Sequence, residues 1–343
     1  MKKVITACVL LLIVLNVNSL VWGQSQRPEN VKIDMIGFIP GTPLQVDSET
    51  MAMALMREYP DWKVLVRASR KGPAGIMEVR EKKAVDMFVQ LSAWKLEKAV
   101  YPKLYKHLKN YEKEMSYQAL APHSVRPVHF LVLEDTGLES IKDMIDKKFP
   151  ARAGYVGIGY EFLLEKILEY YGATLSNIKE WGGKFVMDTP VFPTGADIMK
   201  QKGYNVAVVW VEAPHPLLID IHNTVGLRML PFEEGCRDFL VNQLGLSKTI
   251  IPAALYKFLQ KDYPTVQFDA SICAVTGKLS DDMAYYITKG LWNQRKFIAA
   301  ESRSLAMTLV IEKIEKWNQA LIGQDLTIHP GALRYYREQG WIN

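Results

Sequence analysis

The sequence has few of the features that would assign it quickly. Only three of its 343 residues are cysteine, which excludes a small disulfide-stapled scaffold. Charge of one sign is also lacking: 42 basic residues stand against 37 acidic ones, too dispersed an excess to mark a nucleic-acid surface. After residue 15 no apolar run approaches the roughly 20 residues needed to span a bilayer. There is no G-x-S-x-G elbow, Walker A loop or H-E-x-x-H pair. His107, His123, His129, His215, His222 and His329 have no metal-ligand spacing. Period repeats, low-complexity tracts and Gly/Ser linkers are absent too.

What is present is a globular composition, 49% apolar, 10% aromatic and 23% charged, with chain enough for two domains. The first residues stand apart. Lys2 and Lys3 precede an apolar run over 4–15, then come polar Asn16, Asn18 and Ser19, then Val21-Trp22-Gly23. This reads as a secretory signal peptide cleaved after Gly23, an uncleaved anchor being the alternative. Cleavage removes two lysines and leaves 40 basic residues against 37 acids, a net charge of +3. The expectation is a soluble protein outside the cytoplasm, in the periplasm. Cys8 leaves with the leader, and Cys236 and Cys273 are left either to pair in an oxidising compartment or to remain buried thiols.

From Val31 onward the pattern alternates. Residues 31–35 read as a strand, Asp47 and Ser48 as N-cap candidates for a helix reaching Tyr59, 62–68 as a strand, 76–83 as a helix and 84–89 as a third strand. Such βαβαβ order implies a mainly parallel sheet covered by helices. A second α/β unit follows, with strands near 129–133, 151–156 and 206–211 and helices near 138–149, 160–171 and 196–202. From about residue 281 to 321 the chain turns helix-rich. The fold class expected is α/β, two lobes joined by crossing strands with a ligand cleft between them.

In open parallel sheets ligands bind beyond the carboxyl ends of the strands. The segments there are 37–45, 69–75, 90–94, 154–160 and 210–215, rich in Gly, Pro, Ser and aromatic residues and poor in nucleophiles or bases. Binding is the better expectation than catalysis, and neither a cofactor nor a metal is called for. The candidate ligand contacts are Thr42, Pro43, Ser69, Arg70, Gln90, Trp94, Tyr155, Gly157, Ile158, Tyr160, Trp210 and Glu212. Ser69 and Gln90 are expected to end adjacent parallel strands and to offer hydrogen bonds. Arg67, Arg70 and Lys71 bracket the same strand end, and Arg70 is favoured as the anchor of an anion, since a guanidinium holds a carboxylate by two parallel hydrogen bonds. Tyr155, Ile158, Tyr160, Trp94 and Trp210 give the cleft an apolar lining, unless Ile158 and Tyr160 turn inward to begin a helix stripe with Leu163 and Ile167. The loop Gly154-Tyr-Val-Gly157-Ile-Gly159 follows a strand and opens a helix, but its spacing is not the dinucleotide one.

At these loops the sequence resembles the TAXI family, the solute receptors of TRAP-type secondary transporters. Val66-Arg-Ala-Ser69-Arg-Lys-Gly72 followed by Ala84-Val-Asp86-Met-Phe-Val-Gln90 is similar to a family stretch ending in A-D-x-x-x-V-Q. The 154–160 loop is similar to G-P-P-G-S-G-T. Ile251-Pro252-Ala253, Thr288-Lys289-Gly290-Leu291 and His329-Pro-Gly-Ala-Leu-Arg-Tyr-Tyr-Arg-Glu-Gln-Gly340 resemble its C-terminal signatures. The resemblance implies a type II periplasmic binding protein, with lobe 1 formed by 24–125 plus 262–343 and lobe 2 by 126–261. It implies a monomer that captures a small organic anion and delivers it to membrane permease subunits driven by an ion gradient, with no role for nucleic acid. The departures fall on the site. Pro40-Gly41-Thr42-Pro43-Leu44 replaces G-G-x-Y-Y-P, Gly72-Pro73-Ala74-Gly75 replaces S-V-E-N, and Ile158-Gly159-Tyr160 replaces S-G-T. Polar groups are lost, so a less polar ligand than the family's glutamate-like compounds is expected. The other readings are a receptor of an ATP-driven (ABC) importer, a periplasmic sensing partner, and an enzyme built on Glu212 with His215 or Asp188.

Overall fold

The structure, a computed structural model, describes residues 26–343 except 39, 41, 70–74, 81–85, 92–93, 156–157 and 188–191, and the side chains of 78, 89, 90, 103, 104, 155, 158, 187, 192 and 193 are likewise not described. The leader reading over 1–23, Arg70, Lys71, Gly157 and the side chains of Gln90, Tyr155 and Ile158 therefore lie outside the described residues.

Three parallel strands open the chain: β1 (Lys32–Ile36), β2 (Lys63–Arg67) and β3 (Met87–Leu91). β1 sits in the middle, paired with β2 from Lys32↔Lys63 to Ile36↔Arg67 and with β3 at Met35↔Met87. Ser69 and Gln90 thus end strands that flank β1 and are not neighbours, a correction to the expectation. Two long strands follow, β4 (Tyr117–Leu133, 17 residues) and, much later, β10 (Tyr263–Val275, 13 residues). They run antiparallel from Gln267↔Pro127 to Val275↔Tyr117, with register shifts at Ala270/Ser271 and Ile272/Cys273. The mixed sheet reads β2-β1-β3-β10-β4-β7. β7 (Val206–Trp210) and β8 (Leu227–Met229) pair with β4, β9 (Ser247–Ile251) pairs with β10, and β5 (Arg152–Tyr155) with β6 (Lys184–Met187) forms a small parallel sheet.

Burial divides this frame into two cores. The first takes Tyr117 and Ala119–Ala121 of β4 and Ile272–Val275 of β10, with the helices near the C-terminus. The second takes Val128 and Phe130–Leu133 of β4 and Tyr263, Val266 and Phe268 of β10. Strands buried on both faces read as apolar runs, and in the middle of β4 the run is interrupted by His123, Ser124 and Arg126. This is the expected α/β architecture, with two long strands that pass from one core to the other. Helix α2 (Trp94–Tyr105) also serves both cores, Trp94 the first and Leu96 and Val100 the second.

The first helix, α1 (Pro43–Glu58), starts a turn earlier than Asp47 and Ser48 suggest. Proline fits the first helical position because its φ is fixed and its missing N–H needs no partner there. Thr42 in extended conformation is the N-cap, its side chain accepting from Gln45 N–H. Asp47 and Ser48 fall inside the helix and are buried, and Ser48 Oγ donates to the Leu44 carbonyl.

Cys236 belongs to the second core and Cys273 to the first, and both are free. No disulfide joins them. Burial pushes the Cys236 thiol up to about 12 and raises Cys273 as well, and a thiol kept from ionising is unreactive. Two results are expected: neither thiol reacts with Ellman's reagent until the chain unfolds, and dithiothreitol leaves the thermal midpoint unchanged. A drop in the midpoint on reduction would contradict the placement.

Candidate functional site

The polar middle of β4 lies between the two cores, and strand geometry decides what faces it. Residues two apart on a strand share a face, as do residues directly opposite in an antiparallel pair. Phe268 is opposite Arg126, Val128 is opposite Trp210, and Arg126 and Val128 are two apart. One face therefore carries Arg126, Phe268 and Trp210. The contacts agree. Trp210 and Phe268 have ring centroids 4.5 Å apart, and the Trp210 indole stacks on Tyr160 at 3.6 Å with 10° between planes. Tyr160 comes from the first turn of helix α3 (Ile158–Tyr170). A Cβ added to Gly159 would lie 3.6 Å from Trp210 and 3.7 Å from Leu96 of α2, which brings this turn close to α2. Three aromatic rings thus form a continuous wall beside one guanidinium.

Arg126 Nε donates to Glu212 Oε1 at 3.2 Å, just past the end of β7. Ser304 Oγ, on helix α4 (Arg303–Thr308), donates to the same oxygen at 3.3 Å. Burial alone would raise the Glu212 carboxyl, but the Arg126 charge and the hydrogen bonds from Arg126 and Ser304 outweigh it and hold Glu212 below its usual range. The Tyr160 phenol is pushed up to about 12 by burial, with Arg126 opposing and Glu212 adding to the rise. The Arg126 side chain is 11% exposed, and among the described residues its hydrogen bond is made through Nε. Its two terminal NH2 groups remain for a planar anion, the geometry that two parallel hydrogen bonds require.

A buried cluster supports this guanidinium from behind. Asp47 Oδ1 accepts from Ser302 Oγ at 2.6 Å, and Asp47 Oδ2 lies 3.2 Å from His123 Nε2. Burial opposes ionisation of Asp47, but His123, Ser302 and the nearby Arg126 charge bring its carboxyl below the ordinary value. Thr308 Oγ1 donates to the His123 carbonyl at 2.6 Å. Helix α4 and its N-cap Ser302 therefore tie α1, β4 and the segment after β7 together.

Of the sequence candidates, the structure assembles Tyr160, Trp210 and Glu212. Thr42 and Pro43 start α1. Ser69 stands against the start of the next helix, where a Cβ on Gly75 would lie 1.9 Å from Ser69 Oγ. Trp94 is 6% exposed, its ring edge-on to Tyr117 at 5.0 Å, so it packs the first core. Arg67, one of the basic candidates, is held by Asp34 at 2.7 Å. Sequence reasoning missed Arg126, Phe268, His123, Ser302 and Ser304. For Arg126 a signal existed, a lone charge in a long, mostly apolar stretch. Among the described residues, no group of three or more His, Cys, Asp or Glu side chains is placed to hold a metal ion.

Comparison with known proteins adds identity to this geometry. Residues 53–340 match the model of the NMT1-like family. The chain belongs to that family. The NMT1-like match spans both cores and takes in Arg126, Tyr160, Trp210, Glu212, Phe268 and Ser304, while Asp47 precedes it. The chain is also similar to a TctC solute-binding protein from Polaromonas, at 13% identity and a TM-score of 0.49 over 91% of this chain and 96% of that one. MatC from Rhodopseudomonas palustris, solved with bound malate, is similar at 13% identity and a TM-score of 0.49, covering 90% of this chain and 98% of that one.

Proposed function

We propose that this NMT1-like protein is an extracytoplasmic solute-binding receptor that captures a small organic anion between its two cores and delivers it to a TRAP-type membrane permease, as the TAXI-like motifs imply. In this reading 1–23 is a cleaved leader, 24–125 with 262–343 and 126–261 are the two lobes, and the mature protein works as a periplasmic monomer. The observation that carries the reading is Arg126: a mostly buried guanidinium whose NH2 edge meets no partner among the described residues, beside an aromatic wall, on a strand shared by both cores. A carboxylate there forms charge-assisted hydrogen bonds in a site of reduced dielectric. A ligand touching both cores favours the closed form by its differential affinity.

The test is a thermal-shift screen of small carboxylates against their matched amides. Carboxylates should raise the midpoint and amides should not; equal shifts from both classes would remove the charge anchor. Selectivity should follow the wall. Tyr160→Thr strips one ring from the stack, so aromatic and branched aliphatic acids should lose about 1–2 kcal/mol of binding, roughly five- to thirtyfold, while a dicarboxylate changes little. Calorimetry on the matched acid series checks this, and tightest wild-type binding by a dicarboxylate would contradict an apolar ligand.

A further inference from the structure

The Glu212 carboxylate stands on a short connection, 211–215, between β7 and the helix Pro216–Val225. An irregular segment holds a side chain in place only where its own backbone is tied down. Both ends of this one are tied to the strand that carries Arg126. At the near end Val211 N–H donates to the Pro127 carbonyl at 3.4 Å. At the far end His215 N–H donates to Tyr256 Oη at 2.9 Å, and Tyr256 Oη lies 3.1 Å from His129 Nε2. His129 Nδ1 in turn lies 2.9 Å from the same Pro127 carbonyl. The two tethers therefore close on the residue next to Arg126.

This chain of hydrogen bonds has one consistent polarity. A carbonyl only accepts, so His129 Nδ1 carries the proton and donates to Pro127; a backbone N–H only donates, so Tyr256 Oη accepts from His215. In a neutral imidazole Nε2 then bears the lone pair, and the Tyr256 O–H donates to it. Burial keeps the imidazole neutral: His129 has no exposed surface and Tyr256 is 1% exposed. Burial pushes His129 down to about 4 against the Pro127 carbonyl, with His215 adding to the fall and the Val209 carbonyl opposing it. The two rings meet edge-on, 5.8 Å between centroids at 90°. His215 is held on its other side too, its Nδ1 accepting from Leu217 N–H at 3.3 Å as the helix N-cap.

We infer that Tyr256 and His129 are positioning residues for the anion site, fixing the 211–215 connection so that Glu212 meets Arg126 Nε and the NH2 edge is left for the ligand. His129 is three residues beyond Arg126, on the opposite face of β4, so it acts through the connection and not on the ligand. The effect on affinity rests on the reading of the Arg126 face as the anion site; the effect on Glu212 does not.

The test uses the full mature chain. Carbon-13 NMR of labelled glutamate follows the Glu212 carboxyl, assigned with Glu212→Gln. Tyr256→Phe removes one hydroxyl and should move the Glu212 titration upward, because the Arg126 charge that holds it down is no longer kept beside it. Tyr263→Phe is the control: its hydroxyl is also buried, accepts from Phe130 N–H and donates to the Leu230 carbonyl in the same core, and should leave the Glu212 titration in place. Phenylacetate, the affinity probe, should bind Tyr256→Phe about fivefold or more weakly than wild type, and Tyr263→Phe as wild type. Nitrogen-15 NMR of wild type at neutral pH should show His129 protonated at Nδ1 and bare at Nε2. A Glu212 titration that is unchanged in Tyr256→Phe, or moved as far by Tyr263→Phe, overturns the inference. So does a His129 protonated at Nε2, or equal phenylacetate affinity in wild type and Tyr256→Phe. Should Tyr256→Phe fail to fold, His129→Leu, which removes the other end of the chain, is read in the same way. Absence of phenylacetate binding to wild type counts against the anion reading alone, and the Glu212 titration then decides the positioning.

Discussion

Asp47→Ala should cost about 3–5 kcal/mol of stability, because it strips the acceptor from a fully enclosed cluster. His123 has no exposed surface and Ser302 is 4% exposed, so neither can turn to water for a replacement partner. The pair also joins elements far apart in the chain, α1 and the N-cap of α4, 255 residues apart. Asp47→Asn keeps an oxygen for Ser302 and should lose less, about 1–2 kcal/mol. Urea unfolding reads both, with the slope unchanged if only stability moves. The pH dependence has a definite sign. The Asp47 carboxyl lies below its usual 3.8 in the folded chain, so its contribution is complete above that value and is lost as pH falls through the folded one. The gap between wild type and Asp47→Ala should therefore be constant near neutrality and shrink in acid below about pH 4. A gap that widens in acid would contradict a carboxyl held below its usual value.

Arg126→Gln should reduce affinity for the best carboxylate ligand about a hundredfold, near 3 kcal/mol, since a charged bidentate donor is replaced by a neutral amide. The same change removes the charge that holds Glu212 down. Burial then dominates at Glu212, its carboxyl rises, and the stability that Glu212 contributes above its usual 4.5 is reduced. Arg126→Lys retains the charge but not the planar fork, and should recover only part of the affinity. Unchanged carboxylate affinity in Arg126→Gln would place the anchor elsewhere.

The alternation of the first ninety residues was legible because each strand and helix there is local, and periodicity reports local structure. The long strands were harder. Residues 129–133 read as a strand, whereas 117–128 did not, because Pro122 and Pro127 and a polar stretch interrupt the apolar run. Pro122 is tolerated where the ladder shifts register, opposite Ser271, a place where a missing N–H costs little. Asp47 read as a helix cap for a similar reason. Its residue type suits a cap, and only the tertiary contact with His123 and Ser302 explains its place inside the helix. The site was half visible: Tyr160, Trp210 and Glu212 stood at strand ends, where open sheets bind ligands. Arg126 and Phe268 lie mid-strand, and the pairing of β4 with β10 that puts them on one face is a long-range fact with no local trace.

Closure of the two cores on a ligand is tested most directly by small-angle scattering of the mature protein, free and saturated with the strongest carboxylate from the thermal-shift screen. The radius of gyration should fall on saturation in wild type and should stay at its free value when Arg126→Gln is given the same ligand concentration. A wild-type radius that does not change at saturation would contradict capture between the cores.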